Sequence, residues 1–336
     1  MEKKGLVSLI TPCHNSSGFI RRLLDSVLEQ SYEKIEMVTV DNASEDNTPD
    51  IIKSYMPKFE AKGYTLSYFL QDDLGPSAGI QTGLRVITGE YLLMPDSDDW
   101  YAGPKSIETF VNKFKELSDE YAIIRCQQNF VDEETMKTIG ISYQDATEDD
   151  PGTLFEDCLF GRNGYNFAPI NYMVRVSALR KETGLNIYNA YNTGQQRQIC
   201  MPLYYKYKTW TILKPLVCYL VRNSSVSHGE YSKYLIQKKL YNQTPEYIDS
   251  ILSCIDTMPE QKKEYYRNAF LQMETKSILK KAFLSGNKND IQEYLDNYRK
   301  YGGNPKILLH TVKKEIIFLK LKKLVKKALR LFRKLK

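Results

Sequence analysis

Four short apolar runs, each closed by a polar or Gly/Pro-bearing turn and each followed by a helical repeat, order the N-terminal third of the chain. Leu6–Ile10, Glu36–Val40, Tyr64–Leu70 and Glu90–Met94 are rich in aliphatic, β-branched and aromatic residues and have the length of buried strands. Between them Ile20, Leu23, Leu24, Val27 and Leu28 recur at helical spacing, Pro49 opens a helix to about Phe59, and a third helix runs from Gly75–Gly79 to Ile87. Strands that alternate with helices in this way predict an α/β chain with a parallel, doubly wound sheet. No G-x-G-x-x-G follows the first run, so a dinucleotide fingerprint is missing.

The fourth run empties into Pro95-Asp96-Ser97-Asp98-Asp99-Trp100, which places three carboxylates within four residues at a strand's end. Like charges this close repel, and a bound cation relieves them. Oxygen ligands suit a hard ion such as Mg²⁺ or Mn²⁺, and the carboxyl ends of parallel strands are where α/β proteins bind ligands.

Further along, the pattern predicts a helix over 104–117, a strand near Tyr121–Cys126, a polar loop over 130–165, and a strand with a short helix over 167–179. A helix over 194–208 and a strand from Thr209 to Val221 follow. From Glu230 to about His310 every segment reads as helix, with breaks at Pro245, Pro259, Gly286 and Gly302-Gly303. The expected organisation is a nucleotide-type domain over 1–230, a helical region over 231–312 and a basic amphipathic helix over 313–336.

Charge supports that last division. Residues 313–336 hold eleven Lys/Arg and one Glu, a local +10 within a chain of net +6, which leaves about −4 for the other 312 residues. A mildly acidic body speaks against nucleic acid as a partner. In the tail, Ile317, Leu321, Leu324, Ala328, Leu331 and Leu335 fall in steps of four and three among lysines and arginines, a basic amphipathic helix suited to an anionic membrane surface. Packing of the same helix on its own domain is the alternative. Six cysteines without paired spacing, an apolar run at Leu6–Ile10 too short for a signal peptide, and no run near the roughly 20 residues that span a bilayer point to a cytoplasmic, peripheral protein.

The motifs resemble those of family 2 glycosyltransferases. Thr11-Pro12-Cys13-His14-Asn15 resembles their TP-x-x-N entry, and Val40-Asp41-Asn42-Ala43-Ser44-Glu45-Asp46-Asn47-Thr48 their VDDGSTDNT turn. Gly75-Pro76-Ser77-Ala78-Gly79 through Leu84, then Gly89-Glu90-Tyr91, resembles G-P-S-A-x-x-N-x-G-L…GEY, and Asp96–Trp100 resembles DSDDW. The resemblance implies the GT-A fold, a Rossmann-like nucleotide half joined to an acceptor half, here with a C-terminal helical extension. It implies a nucleotide-sugar donor, a UDP-sugar, bound by Thr11, Pro12, Asn15, Asp41, Gly79, Asp96 and Ser97. It further implies Mn²⁺ or Mg²⁺ on Asp96 and Asp98, with Asp98 central to catalysis, and a glycan or lipid-linked acceptor in surface-polysaccharide synthesis. Gly79 also admits a plainer role, tight helix packing.

In Arg222-Asn223-Ser224-Ser225-Val226-Ser227-His228, the resemblance makes His228 a third metal ligand and Arg222 a candidate for the diphosphate. The pattern then departs. Inverting members need a carboxylate to take the acceptor's proton, and Gln195 and Gln196 stand where the family places a Glu-Asp pair. Glu156, Asp157 and Glu182 are the candidate replacements. A non-catalytic nucleotide-sugar-binding, membrane-associated protein is the rival reading.

Overall fold

The computed structural model describes residues 2–72, 75–149, 154–163, 165, 168–189, 194–222 and 234–334, with the side chains of 319, 320 and 323–334 excepted. It comprises two compact units, residues 1–225 with 250–257, and residues 226–249 with 258–336.

The first unit opens with β1 (Lys3–Cys13), α1 (Ile20–Leu28), β2 (Ile35–Asn42), α2 (Thr48–Ala61), β3 (Thr65–Gln71), α3 (Pro76–Val86) and β4 (Gly89–Leu93). Then come β5 (Trp100–Tyr101), α4 (Ser106–Glu116), β6 (Tyr121–Asp132), β7 (Thr138–Ile141), α5 (Leu154–Phe160), β8 (Tyr172–Arg175), α6 (Val176–Thr183), α7 (Gln195–Lys206) and β9 (Lys208–Val221). The sheet order is β3-β2-β1-β4-β8-β6-β9-β5, with β7 paired to β6. The first four strands are parallel, as the alternation predicts.

Beyond β4, where the strand–helix alternation stops, the sheet becomes mixed. β8 runs antiparallel to both β4 and β6, and β5 antiparallel to β9. Only β9 and β6 in that half run parallel. The predicted loop over 130–165 fails in part, since β6 continues to Asp132 and the segment contains β7 and α5. The reason is pairing rather than hydrophobicity. From Gln127 most β6 side chains turn polar, yet the strand stays paired with β9 through register shifts on either side of Gln127 to Asp132↔Val221, and buried Gln128 accepts a hydrogen bond from Asn171 at 2.9 Å. Such a strand leaves no apolar period to read.

The core binds α1, α2 and α4 to the sheet through Leu9, Leu23, Leu24, Met37, Phe59, Leu93, Phe110 and Phe114, all buried. On the other face α3 lies very close to β1. A Cβ on Gly79 would stand 2.9 Å from the Pro12 Cβ, and one on Gly83 only 2.4 Å from the Ile10 Cγ2. These glycines let the helix settle onto the strand ends.

The second unit is helical: α8 (Tyr234–Ser253) as far as residue 249, α9 (Glu260–Ser285), α10 (Lys288–Lys300) and α11 (Pro305–Lys334). Pro245 does not break α8, against expectation, because the helix tolerates one lost N–H where packing holds the turn. Gly286 ends α9 with φ +76°, and the Asn287 side chain caps α10 by accepting from the Asp290 N–H. Tyr241, Ile278, Leu279, Tyr294, Leu308 and Val312 form this unit's core. Residues 313–334 continue α11 without interruption, and Ile317, Phe318 and Leu321 are exposed on it. Among the described residues no helix is long and apolar enough to cross a membrane.

Gly83→Ala tests the close approach of α3. Ile10 is fully buried and β-branched, so it yields little. The gain of about 1 kcal/mol in helix propensity is expected to be outweighed by overpacking of about 1–3 kcal/mol, lowering the thermal midpoint by a few degrees in a differential scan.

Candidate active site

The ends of β1, β2 and β4 converge because the parallel register pairs Cys13 with Asp41 and Leu9 with Leu93. Asp41 is fully buried at the end of β2, where its carboxylate accepts from the Ser44 N–H at 3.0 Å and the Tyr68 hydroxyl at 2.7 Å. Burial, then that bond to Asp41, raises the Tyr68 phenol, so it remains a donor. The Thr11 hydroxyl on β1 is buried and has no hydrogen-bond partner among the described residues.

The loop after β1 is stitched to both neighbours. Asn15, at φ +48°, donates its N–H to Ser44 Oγ at 2.9 Å, and its side-chain carbonyl accepts from the Glu45 N–H at 2.9 Å. His14 Nδ1 lies 2.7 Å from the Asn42 carbonyl. Ser16 Oγ and Ser97 Oγ share a hydrogen bond of 2.8 Å, which fastens this loop to the acidic turn after β4. Asp46 braces the arrangement from the β2 side, accepting from the N–H groups of Ser17 and Thr48.

The acidic turn is anchored from its far side by β9. The Leu220 N–H donates to Asp99 Oδ1 at 3.1 Å, and Arg222, just past the strand, reaches Asp98 with an Nη2–Oδ2 distance of 2.6 Å. Burial first, and the Asp98 charge second, raise the Asp96 carboxyl to about 7, while Arg222 opposes them. Asp99 is raised as well, by burial and then by Asp98 and Asp96. One guanidinium thus relieves the crowding of these carboxyls only in part.

The family model described as Glycosyl transferase family 2 matches residues 8–183. The chain belongs to this family. It is 31% identical over 130 residues to an uncharacterized glycosyltransferase of Rickettsia typhi, a match covering 39% of this chain and 38% of that protein. It is 27% identical over 233 residues to glycosyltransferase GlyA of Streptococcus pneumoniae, covering 68% of this chain and 32% of that one. The chain therefore spans about a third of the length of these curated relatives. Among solved structures it resembles S. aureus TarS 1-349, with TM-score 0.62 and 18% identity over 88% of this chain and 80% of that one. The same protein in complex with UDP-GlcNAc gives TM-score 0.63 and 19% identity, again over 88% and 80%. The fold is that of the GT-A glycosyltransferases, as the sequence implied.

In this family 2 chain the residues expected at the donor site come together: Thr11, Pro12, Asn15 and Asp41 at the ends of β1 and β2, Asp96, Ser97 and Asp98 after β4. What the structure shows of Gly79 is close packing on Pro12. His228 lies outside the described residues. A hard divalent ion fits the chemistry of Asp96 and Asp98, two carboxylates one residue apart whose mutual repulsion a cation would relieve. Among the described residues no group of three or more His, Cys, Asp or Glu side chains gathers in a way that would hold a metal ion.

Gln195 and Gln196 open α7, whose first turn carries no acidic residue. Of the three replacement carboxylates, Glu182 is engaged by Lys206 at 2.5 Å and by the Tyr207 hydroxyl at 3.0 Å, a structural pair that leaves it unsuited to a proton acceptor's task. Glu156 is exposed, 3.9 Å from Arg162. Asp157 is buried, accepts from Asn163 at 2.9 Å, and lines a cavity of about 680 Å³ with Arg125, Tyr143 and Tyr165. Sequence reasoning missed Tyr68, Ser16 and the pairing of Arg222 with Asp98. No local pattern marks them, since each acts through a partner 27 to 124 positions away, the last separation following from the two residue numbers.

Asp46 provides a test of the loop bracing. Burial tends to raise its carboxyl, but hydrogen bonds from Thr48 and Ser17 prevail and hold it at about 2. A depressed carboxylate adds stability above its unfolded value, and that stability is lost as pH falls through the folded one. Asp46→Asn is expected to cost about 1–2 kcal/mol at pH 7 and about half as much at pH 3, read from denaturant unfolding.

Proposed function

We propose that this chain transfers a sugar from a nucleotide-diphosphate donor, a UDP-sugar, to a glycan or lipid-linked acceptor, by direct displacement with inversion at the anomeric carbon. The observation that carries this reading is the acidic turn of Asp96, Asp98 and Asp99, hydrogen-bonded to the β1 loop through Ser97 and Ser16 and set beside buried Asp41. Asp41, with its carboxylate oriented by Tyr68 and Ser44, would accept hydrogen bonds from the base or its ribose. Asp96 and Asp98 would hold a divalent ion, which when bound supplies Lewis-acid stabilisation for the departing diphosphate. The solved complex of TarS with UDP-GlcNAc supports the choice of a UDP-sugar.

The exposed apolar residues Ile317, Phe318 and Leu321 on α11, with lysines between and beyond them, support a peripheral site on an anionic membrane face, where a lipid-linked acceptor would reside. One observation favours a second reading, a protein that binds the donor without transferring it. Glutamines occupy the start of α7, and glutamine does not accept a proton at neutral pH.

Many transferases pass their sugar slowly to water, so donor hydrolysis needs no acceptor. With Mn²⁺ and a panel of UDP-, GDP-, TDP- and CMP-sugars, the protein is expected to hydrolyse one UDP-sugar, with loss of at least a hundredfold in Asp98→Ala, an effect of about 3 kcal/mol, and on EDTA addition. Nucleotide binding without turnover in the presence of any offered acceptor would favour the binding protein instead.

A further inference from the structure

Arg222 stands where a cation is expected. Its guanidinium touches Asp98 at 2.6 Å, with the two side chains 21% and 16% exposed, so the pair is shielded from most of the solvent. The position of Arg222 is fixed from two sides. The backbone two residues earlier is tied to the acidic turn by Leu220 and Asp99 at 3.1 Å, and the guanidinium carbon lies 4.4 Å from the centre of the Phe19 ring. The pair leaves the guanidinium incompletely used, because Arg222 Nε is buried and has no hydrogen-bond partner among the described residues.

A buried donor without a partner is costly, and an acidic turn balanced by one positive charge remains under repulsion. Both are relieved by one exchange. A divalent cation carries twice the charge of the guanidinium and takes its place on Asp98, and the released guanidinium, with Nε now free to turn, meets an anion that offers several oxygens. A nucleoside diphosphate is such an anion, and planar guanidinium groups match its geometry.

We propose that Arg222 is a positioning residue that acts as an internal stand-in for the divalent ion: it occupies Asp98 in the empty protein, competes with the incoming cation, and passes to the donor's diphosphate when displaced. This rests on the metal-dependent reading above. It makes the cation and the diphosphate cooperative through Arg222, in addition to any direct contact between them.

The test uses Mn²⁺ alone with the full, nucleotide-free chain, following the loss of the free-ion electron paramagnetic resonance signal. Arg222→Gln, which removes the competitor, is expected to bind Mn²⁺ about tenfold more tightly than the native protein, within the range usual for coupled sites. Arg222→Lys keeps the charge but loses the planar fork, so it is expected to fall between them and supplies the comparison should the glutamine variant fold poorly. With Mn²⁺ saturating, UDP is expected to bind Arg222→Gln about tenfold more weakly than native, because the displaced guanidinium is no longer there to receive it. Equal or weaker Mn²⁺ binding in both variants overturns the exchange while leaving the metal site intact. Absence of Mn²⁺ binding from native protein and variants alike overturns the exchange together with the metal-dependent reading.

Discussion

Repulsion among Asp96, Asp98 and Asp99 is the constraint around which the first unit is arranged. Three carboxylates at a strand's end are unfavourable in a partly buried turn, and burial together with their neighbours raises Asp96 and Asp99 above the usual range. The turn holds its shape because hydrogen bonds reach it from two directions, Ser16 from the β1 loop and Leu220 from β9. The β1 loop is in turn fixed by Asn15 and Asp46 to the loop after β2, which carries Asp41. Disturbing any of these strand ends would be felt at the others, since they share one hydrogen-bonded surface.

The nucleotide half was legible because its sequence agrees with itself at every level. Apolar runs of strand length alternate with helices, Pro49 and Pro76 start helices where a missing N–H is harmless, and Gly79 and Gly83 permit the approach of α3 to β1. The acidic turn pointed to a cation because like charges so close repel, but an acidic turn after a strand is common and the motifs upstream carried the reading. The family motifs sharpened both points into a specific donor chemistry.

The half of the sheet beyond β4 was less legible for a physical reason. Its strands β6 and β9 pair through a register with several irregularities, and their polar side chains are satisfied by partners distant in sequence, as Gln128 is by Asn171. Local periodicity does not record such pairing. The same holds for Tyr68, whose role depends on Asp41, and for Arg222, whose importance lies wholly in meeting Asp98. The departure at Gln195 and Gln196, by contrast, was visible in the sequence, and the structure adds that Glu182 is committed to Lys206.

The central claim is that the ends of β1, β2 and β4 form one site for a divalent ion and a nucleoside diphosphate. Crystals grown with UDP and Mn²⁺, with diffraction recorded at the manganese absorption edge, address it directly. A single anomalous peak is expected within coordination distance of Asp98, with diphosphate density adjoining it and the base beside Asp41. A peak elsewhere, or UDP bound away from these strand ends, would contradict the claim.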